Sequence, residues 1–200
     1  MEVIESVIFD WGGVLIDDPV PGLMKYCSEA LAVSKEDYIK AHDKFAEDFE
    51  KGLINEDMFW ERMCSELGVS KPKVPSLWAD AFDAAYVPRE DMFSLAGGLR
   101  ENGYKTAFLS NTEKPAMQFF HQLRYDIFDV LVFSCAEGTR KPERRIYELT
   151  VQRLGSEAGQ SLFIDDKPEY INGAQQAGLN TILFESISQV KNELTRLGVE

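Results

Sequence analysis

Five short apolar segments stand out along the chain, and between them apolar side chains recur every three or four residues. The first segment runs up to Val7-Ile8-Phe9 and leaves little room for a solvated face. Such runs predict strands buried on both faces, whereas the longer spacing predicts helices. Their alternation predicts an α/β fold, a Rossmann-like three-layer α/β/α core around a parallel sheet. The other four predicted strands are residues 105–109, 130–133, 161–164 and 181–184.

The segment between the first and second strands contains only helical patterns. We predict four short helices there. Ser34 is the N-cap of the second, which is expected to run from residue 35 to residue 51 and to end at Gly52. Asn55 is the N-cap of the third, which ends at Gly68. The chain therefore predicts an all-helical cap at residues 17–86, inserted into a core made of residues 1–16 and 87–200.

Composition and charge narrow the possible partners. The 200 residues are 44% hydrophobic and 28% charged, which is typical of a globular protein. A net charge of −13 argues against nucleic acid and anionic membranes as partners. No apolar run is long enough to span a membrane, and no signal peptide is recognised, so a cytoplasmic location is expected. The three cysteines are widely spaced, fit no zinc site and indicate reduced thiols. The sequence pattern does not indicate an oligomeric state.

Polar side chains follow four of the five predicted strands, at the point where each strand ends. The carboxyl ends of parallel strands share one edge of the sheet, where α/β proteins build their sites. Carboxylates crowded at this edge would repel one another unless a cation lies among them, and oxygen ligands without His or Cys favour Mg²⁺. A lysine and a hydroxyl beside them suit a phosphoryl group. These side chains are Asp10, Ser110, Asn111, Lys141, Asp165 and Asp166.

Each of these side chains also has an ordinary structural explanation. Asp10 could cap a turn, and Ser110 with Asn111 could cap the following helix. Lys141 could be a solvated loop charge. The adjacent pair Asp165 and Asp166 could stabilise a helix N-terminus. The joint occurrence of all of them at one sheet edge favours the chemical interpretation.

Four motifs in order resemble those of the haloacid dehalogenase-like (HAD) hydrolases that have a small helical cap after the first strand. They are residues 9–14 (Phe-Asp-Trp-Gly-Gly-Val), 109–112 (Leu-Ser-Asn-Thr), 141–142 (Lys-Pro) and 163–166 (Phe-Ile-Asp-Asp). The wording of the motifs is also similar to a bacterial branch of the family that includes glucose-1-phosphate phosphatase. The resemblance covers nearly the whole chain and leaves only the cap without a motif.

The resemblance implies a Mg²⁺-dependent phosphatase of a small phosphorylated metabolite, for which a sugar phosphate is one candidate. Asp10 would be the nucleophile that forms an aspartyl-phosphate. Lys141 would neutralise charge on Asp10 and on the phosphoryl group. The implied metal ligands are Asp10, the backbone carbonyl of Gly12, Asp165 and Asp166. The implied phosphate-binding groups are Ser110, Lys141 and the backbone amides of Trp11, Gly12 and Asn111.

One position departs from the family pattern. Most phosphatases of the family have a second aspartate two residues after the nucleophile, as general acid and base, and here that position is Gly12. Two alternatives therefore stay open: a catalytically weak binding or regulatory protein with the same fold, and a haloacid dehalogenase, which needs no metal. In the cap, we predict His42 to be a surface residue and the aromatic side chains to be mainly core, whereas Trp11 should face the cap.

Overall fold

The computed structural model describes residues 3–199. Five strands form one fully parallel sheet in the order β3-β2-β1-β4-β5, which confirms the predicted fold class. The register places Phe9 beside Phe108 on one side and Ile164 on the other, so the strand ends that follow these residues meet at one edge. The strands are β1 (Ser6–Phe9), β2 (Lys105–Ser110), β3 (Val130–Phe133), β4 (Ser161–Asp165) and β5 (Asn180–Leu183).

Alternate residues of the central strand enter different layers of the core. Val7 and Phe9 belong to the larger apolar cluster, whereas Ile8 between them belongs to the smaller one on the opposite face. This alternation is the two-residue period of a strand with both faces covered. Helices α9 (Arg144–Leu154) and α10 (Pro168–Gln176) cover the smaller cluster, so the core has three layers.

The larger cluster is covered by the remaining core helices and extends without interruption into the helices inserted after β1. The inserted helices are α1 (Val20–Ala30), α2 (Lys35–His42), α3 (Ala46–Glu50), α4 (Glu56–Leu67) and α5 (Leu77–Ala85). The core helices on this side are α6 (Glu90–Glu101), α7 (Lys114–Leu123) and α11 (Ile187–Arg196), and a four-residue helix α8 (Ser134–Glu137) follows β3.

The insertion contains five helices in the described chain, so the prediction of four was wrong. The predicted helix over residues 35–51 is interrupted at residues 43–45, where it divides into α2 and α3. The predicted caps are confirmed: Ser34 accepts a hydrogen bond from the Asp37 amide and Asn55 accepts one from the Met58 amide. Helix α8 was not predicted, because its four residues are too few for a helical period to be visible.

The two segments that join the helical insertion to the core lie side by side. Ile16 forms an isolated antiparallel bridge with Pro88. The Asp17 amide donates to the Val87 carbonyl at 2.9 Å, and the Arg89 amide donates to Leu15 at the same distance. These contacts fall at the predicted limits of the cap, 16/17 and 86/87, although the division into cap and core stays a prediction. Residues 1, 2 and 200 of the predicted core lie outside the described residues.

Two further expectations concern the chain as a whole. Within residues 3–199, no helix is both long and apolar enough to cross a membrane. Cys27, Cys64 and Cys135 are all free thiols, as their spacing indicated.

Candidate functional site

Three of the predicted site residues form one buried cluster at the carboxyl edge of the sheet. The Lys141 ammonium lies 2.6 Å from Asp10 Oδ1 and 2.6 Å from Asp165 Oδ2. Lys141 is only 1% exposed and Asp10 5% exposed, while Asp165 is fully buried. Lys141 is therefore not a solvated loop charge, and Asp10 does more than cap a turn.

The backbone after Asp10 turns sharply. The Trp11 carbonyl accepts hydrogen bonds from the amides of Leu15 and Ile16 at 2.9 and 3.0 Å. Gly13 has a φ of +90°, and a Cβ atom at this position would lie 2.3 Å from Asp166 Oδ2. Only glycine fits here, because a side chain would be strained by the backbone and would displace Asp166.

Asn111 holds the backbone of Lys141 with both ends of its side-chain amide. Its Oδ1 accepts a hydrogen bond from the Lys141 amide at 2.8 Å, and its Nδ2 donates to the Lys141 carbonyl at 3.0 Å. Ser110 Oγ lies 2.5 Å from Thr112 Oγ1. Helix α7 has Glu113 at its N-cap and no side-chain capping bond, so the interpretation of Ser110 and Asn111 as helix caps was wrong.

The loop of Lys141 also contacts the helical insertion on both sides of the lysine. Arg140 Nε lies 3.2 Å from Glu50 Oε2 at the end of α3, and Glu143 pairs with Lys51 just beyond that helix. In addition, Ser134 Oγ donates to the Glu50 carbonyl at 2.5 Å. The end of α3 is thus connected to the loop that positions Lys141.

The carboxylates suit a hard divalent cation. Asp10, Asp165 and Asp166 each offer an oxygen within 4.8 Å of the others, and Asp166 Oδ1 is buried without a hydrogen-bond partner. Both oxygens of Asp165 already accept bonds, from Lys141 Nζ and from the Lys167 amide. Three carboxylates against the ammonium groups of Lys141 and Lys167 still leave an excess of negative charge, which Mg²⁺ with oxygen ligands would balance. The residues present therefore fit the predicted metal.

Burial and charge change the ionisation of the central pair. Burial raises the pKa of Asp10 to about 7, despite the attraction of Lys141. A divalent cation among the carboxylates would lower this pKa, because it favours the ionised form. Burial disfavours the Lys141 ammonium, but Asp10 and Asp165 outweigh it, and the pKa of Lys141 is raised. Lys141 therefore stays charged throughout the physiological pH range.

A cavity of about 100 Å³ lies between Asp10 and the helical insertion. Trp11 borders it, as predicted, with its ring centroid 4.7 Å from that of Phe82 in α5. The side of the cavity formed by the core is lined by Asp10, Trp11, Gly12, Ile16, Ser110, Asn111, Thr112, Glu113, Lys141, Lys167 and Tyr170. The other side is lined by Asp18, Pro19, Val20, Leu23, Met24, His42, Glu50, Trp78 and Phe82.

The prediction that His42 is a surface residue was wrong. Its side chain is 13% exposed, lies in the cavity wall and stacks parallel to Trp78 with ring centroids 5.7 Å apart. Burial lowers the pKa of His42, so the imidazole is neutral at pH 7. Trp78 and Phe82 also line the cavity as well as the core, which the helical spacing of the cap aromatics did not reveal.

Sequence reasoning missed several polar residues of the cavity. Glu113 and Lys167 each directly follow one of the four motifs. Their position next to a motif could have indicated that they belong to the site. Tyr170 lies with its ring centroid 4.8 Å from Lys141 Nζ, but nothing in the sequence marks it. Glu50 falls within the segment predicted as one helix over residues 35–51. Its place in the cavity depends on how α3 packs on the core.

Known proteins similar to this chain include several phosphatases. Sesquiterpene phosphatase astK of Aspergillus oryzae is 28% identical over 181 residues, which are 88% of this chain and 87% of that protein. D-ribitol-5-phosphate phosphatase of Bacteroides thetaiotaomicron is 23% identical over 205 residues, 96% of this chain and 98% of that protein. Mouse Acyl-CoA dehydrogenase family member 10 is 32% identical over 96% of this chain, but the chain spans only 19% of its length.

A solved structure of a HAD family enzyme from Bacteroides thetaiotaomicron, in complex with magnesium and inorganic phosphate, has the same fold. It superimposes with a TM-score of 0.71 at 24% identity and covers 94% of this chain and 98% of that one. The family model for haloacid dehalogenase-like hydrolases matches residues 4–178, which include all four motifs. The chain therefore belongs to the haloacid dehalogenase-like hydrolase family.

Proposed function

We propose that this protein is a Mg²⁺-dependent phosphatase that hydrolyses a small phosphorylated metabolite through an aspartyl-phosphate on Asp10. The observation that supports this most is the position of Asp10: it borders the cavity and is paired at 2.6 Å with Lys141. The carboxylates of Asp165 and Asp166 lie close enough to share one cation with it. Phosphatases among the relatives point to the same reaction class.

In the proposed reaction, a carboxylate oxygen of Asp10 attacks phosphorus and the bond to the leaving oxygen breaks. Water then attacks phosphorus, the bond to Asp10 breaks, and inorganic phosphate is released. Asp10, Asp166, Asp165 and the Gly12 carbonyl would hold the metal, which supplies a positive charge that offsets the charge of the phosphoryl oxygens. Lys141, Ser110 and the amides of Trp11, Gly12 and Asn111 would hold the phosphoryl oxygens.

The cavity beside Asp10 favours a small substrate, because its volume is about 100 Å³. Trp11 Nε1 and His42 Nδ1 are buried polar atoms without hydrogen-bond partners, and both residues line the cavity. A hydroxylated leaving group both donates and accepts hydrogen bonds, which suits these atoms. We therefore place a sugar or polyol phosphate first among the candidate substrates, in line with the similarity to the glucose-1-phosphate phosphatase branch.

The two other functions have less support. A haloacid dehalogenase needs no cation, so it leaves the cluster of three carboxylates and the unpartnered Asp166 oxygen unexplained. A binding or regulatory protein has no chemical need for a buried lysine that pairs with a nucleophilic carboxylate, and burying such a pair is costly.

The test is release of phosphate from p-nitrophenyl phosphate with and without Mg²⁺, followed by a panel of sugar and polyol phosphates. We expect Mg²⁺-dependent release that Asp10→Asn abolishes and that the surface variant Glu193→Gln retains. Chloride release from a 2-chloro acid without metal would support the dehalogenase instead. Absence of release from the activated ester would support the binding protein.

A further inference from the structure

The reaction proposed above gives no role to the carboxyl group of Glu113. It directly follows Ser110, Asn111 and Thr112, and it lines the same cavity as Asp10. Its Oε2 accepts a hydrogen bond from Trp78 Nε1 at 2.9 Å, so a residue of the helical insertion orients a residue of the core.

Glu113 forms no ion pair among residues 3–199, whereas Glu50, another carboxyl group of the cavity wall, lies with its Oε2 3.2 Å from Arg140 Nε. Burial raises the pKa of Glu50 as well, and the charges of Arg140, Lys167 and Lys141 oppose that shift. Burial, reinforced by the nearby charge of Glu50, raises the pKa of Glu113 to about 8. Glu113 is thus a carboxylic acid that keeps its proton at neutral pH, in the wall of the cavity.

The other titratable groups that face Glu113 add no charge beside it at neutral pH. They are Cys27 of α1, Tyr38 of α2 and Cys135 of α8. Burial raises the pKa of Cys27 and of Cys135 to about 12 and raises that of Tyr38 as well, so all three are neutral at pH 8. Glu50 and Arg140 are the charged neighbours, and Arg140 partly offsets the effect of Glu50.

Cleavage of an alkyl phosphate requires a proton for the leaving oxygen, since an alkoxide is a poor leaving group. Gly12 has no side chain to supply that proton. The imidazole of His42 is neutral at pH 7, because burial lowers its pKa. Asp18 is exposed, and its Oδ1 accepts a hydrogen bond from the Val20 amide.

Lys167 also lines the cavity, but it follows Asp166 directly and its ammonium is attracted by Asp10 and Asp166, so its positive charge offsets theirs. Glu113 combines a place in the cavity wall with a proton that no neighbouring carboxylate shares in an ion pair.

We propose that Glu113 is the general acid and base of this site; the inference rests on the proposed phosphatase function. As Asp10 attacks phosphorus and the ester bond breaks, the Glu113 carboxyl transfers its proton to the leaving oxygen and becomes a carboxylate. That carboxylate then takes a proton from water as the water oxygen attacks the aspartyl-phosphate. The released phosphate leaves Asp10 ionised and Glu113 protonated, so the cycle closes.

The test compares two leaving groups in one variant. Glu113→Gln keeps the size of the side chain and an acceptor for Trp78 but has no transferable proton. We expect its kcat/KM to fall by about 100-fold or more on an alkyl phosphate that the wild type hydrolyses, and by less than about 3-fold on p-nitrophenyl phosphate. Glu148→Gln, at an exposed position of α9 outside the cavity, is the matched comparison, and its effect should be small and the same for both esters.

A second measurement does not require Glu113 to be replaced. The hydrogen bond from Trp78 lowers the pKa of Glu113, so Trp78→Phe should raise it. The alkaline limb of kcat/KM for the alkyl phosphate should then move to higher pH, whereas loss of packing alone would lower the rate at every pH.

Three results would overturn the assignment of Glu113. The first is an equal loss of kcat/KM on the two esters in Glu113→Gln, and the second is an unchanged alkaline limb of the kcat/KM profile in Trp78→Phe. The third is a wild type that hydrolyses only the aryl ester. These results are distinct from failure of the phosphatase proposal, which would appear as p-nitrophenyl phosphate hydrolysis that survives in Asp10→Asn or as none in the wild type.

Discussion

The ammonium of Lys141 lies 2.6 Å from Asp10 Oδ1, with both side chains almost entirely removed from solvent. The same ammonium is bound to Asp165, so one cation compensates two buried carboxylates. Such a cluster is costly to break, because each group that loses its partner remains buried with its charge unbalanced. The pair therefore affects the stability of the fold as well as the proposed chemistry.

Lys141→Met should destabilise the protein strongly at neutral pH, by about 3–5 kcal/mol, because it leaves Asp10 and Asp165 without their cation. Asp10→Asn should cost only about 1 kcal/mol, because Lys141 keeps its bond to Asp165. Urea unfolding monitored by circular dichroism measures both. Arg144→Gln, which removes an exposed ion pair with Glu148, is the control and should change little. Equal stability of the Met and Asn variants would contradict the shared-cation arrangement.

Magnesium should raise the unfolding temperature of the wild type, since a ligand that binds only the folded state stabilises it. Asp166→Asn should abolish most of that increase, because the unpartnered Asp166 Oδ1 is the free acceptor of the cluster. In EDTA the variant should unfold at a temperature at least as high as the wild type. The reason is that burial raises the pKa of Asp166, so its charged form is disfavoured in the metal-free site. A full Mg²⁺ response in the variant would exclude Asp166 as a ligand.

Gly12 and Gly13 should differ in their tolerance of a methyl group. Gly13→Ala places a Cβ on the carboxylate of Asp166 at a φ of +90°, so we expect about 1–2 kcal/mol of strain and a weaker response to Mg²⁺. Gly12→Ala meets only the Pro19 ring, with Cδ at 3.0 Å, and should keep the Mg²⁺ response. Thermal unfolding at a series of Mg²⁺ concentrations separates the two, and identical apparent affinities would contradict the contact with Asp166.

The raised pKa of Glu113 predicts how stability depends on pH. The unfolded chain releases this proton near the ordinary value of 4.5, whereas the folded protein keeps it up to about pH 8. Between these values the folded state binds more protons, so its stability falls as pH rises. In EDTA, Glu113→Gln should therefore gain stability relative to the wild type between pH 5 and pH 8, as measured by urea midpoints. A constant difference across that range would mean that Glu113 titrates normally.

The local pattern of apolar and polar residues predicts much of the fold and part of the site. The apolar run that ends at Phe9 predicted a strand buried on both faces, and the parallel sheet required the residue after it to lie at the carboxyl edge. For that reason the sequence predicts that Asp10, Ser110 and Asp165 lie at one edge of the sheet. The caps at Ser34 and Asn55 were also local, because a cap needs only the three residues that follow it.

Contacts between distant segments could not be read in the same way. The helix predicted over residues 35–51 divides at residues 43–45, since the end of α3 packs against the Lys141 loop rather than following α2. His42 leaves the surface because Trp78, distant in the sequence, stacks on it. Asn111 was expected to use its backbone amide, but its side chain is held by the backbone of Lys141, 30 residues away.

The sequence alone thus determined the order of strands and helices and the side chains that reach the sheet edge, because both follow from periodicity and from parallel strand geometry. Only the tertiary structure decided which residues close the cavity over Asp10 and how they ionise. Burial and the charges of residues far along the chain set the protonation of Glu113, Glu50 and His42, and neither quantity is a property of local sequence.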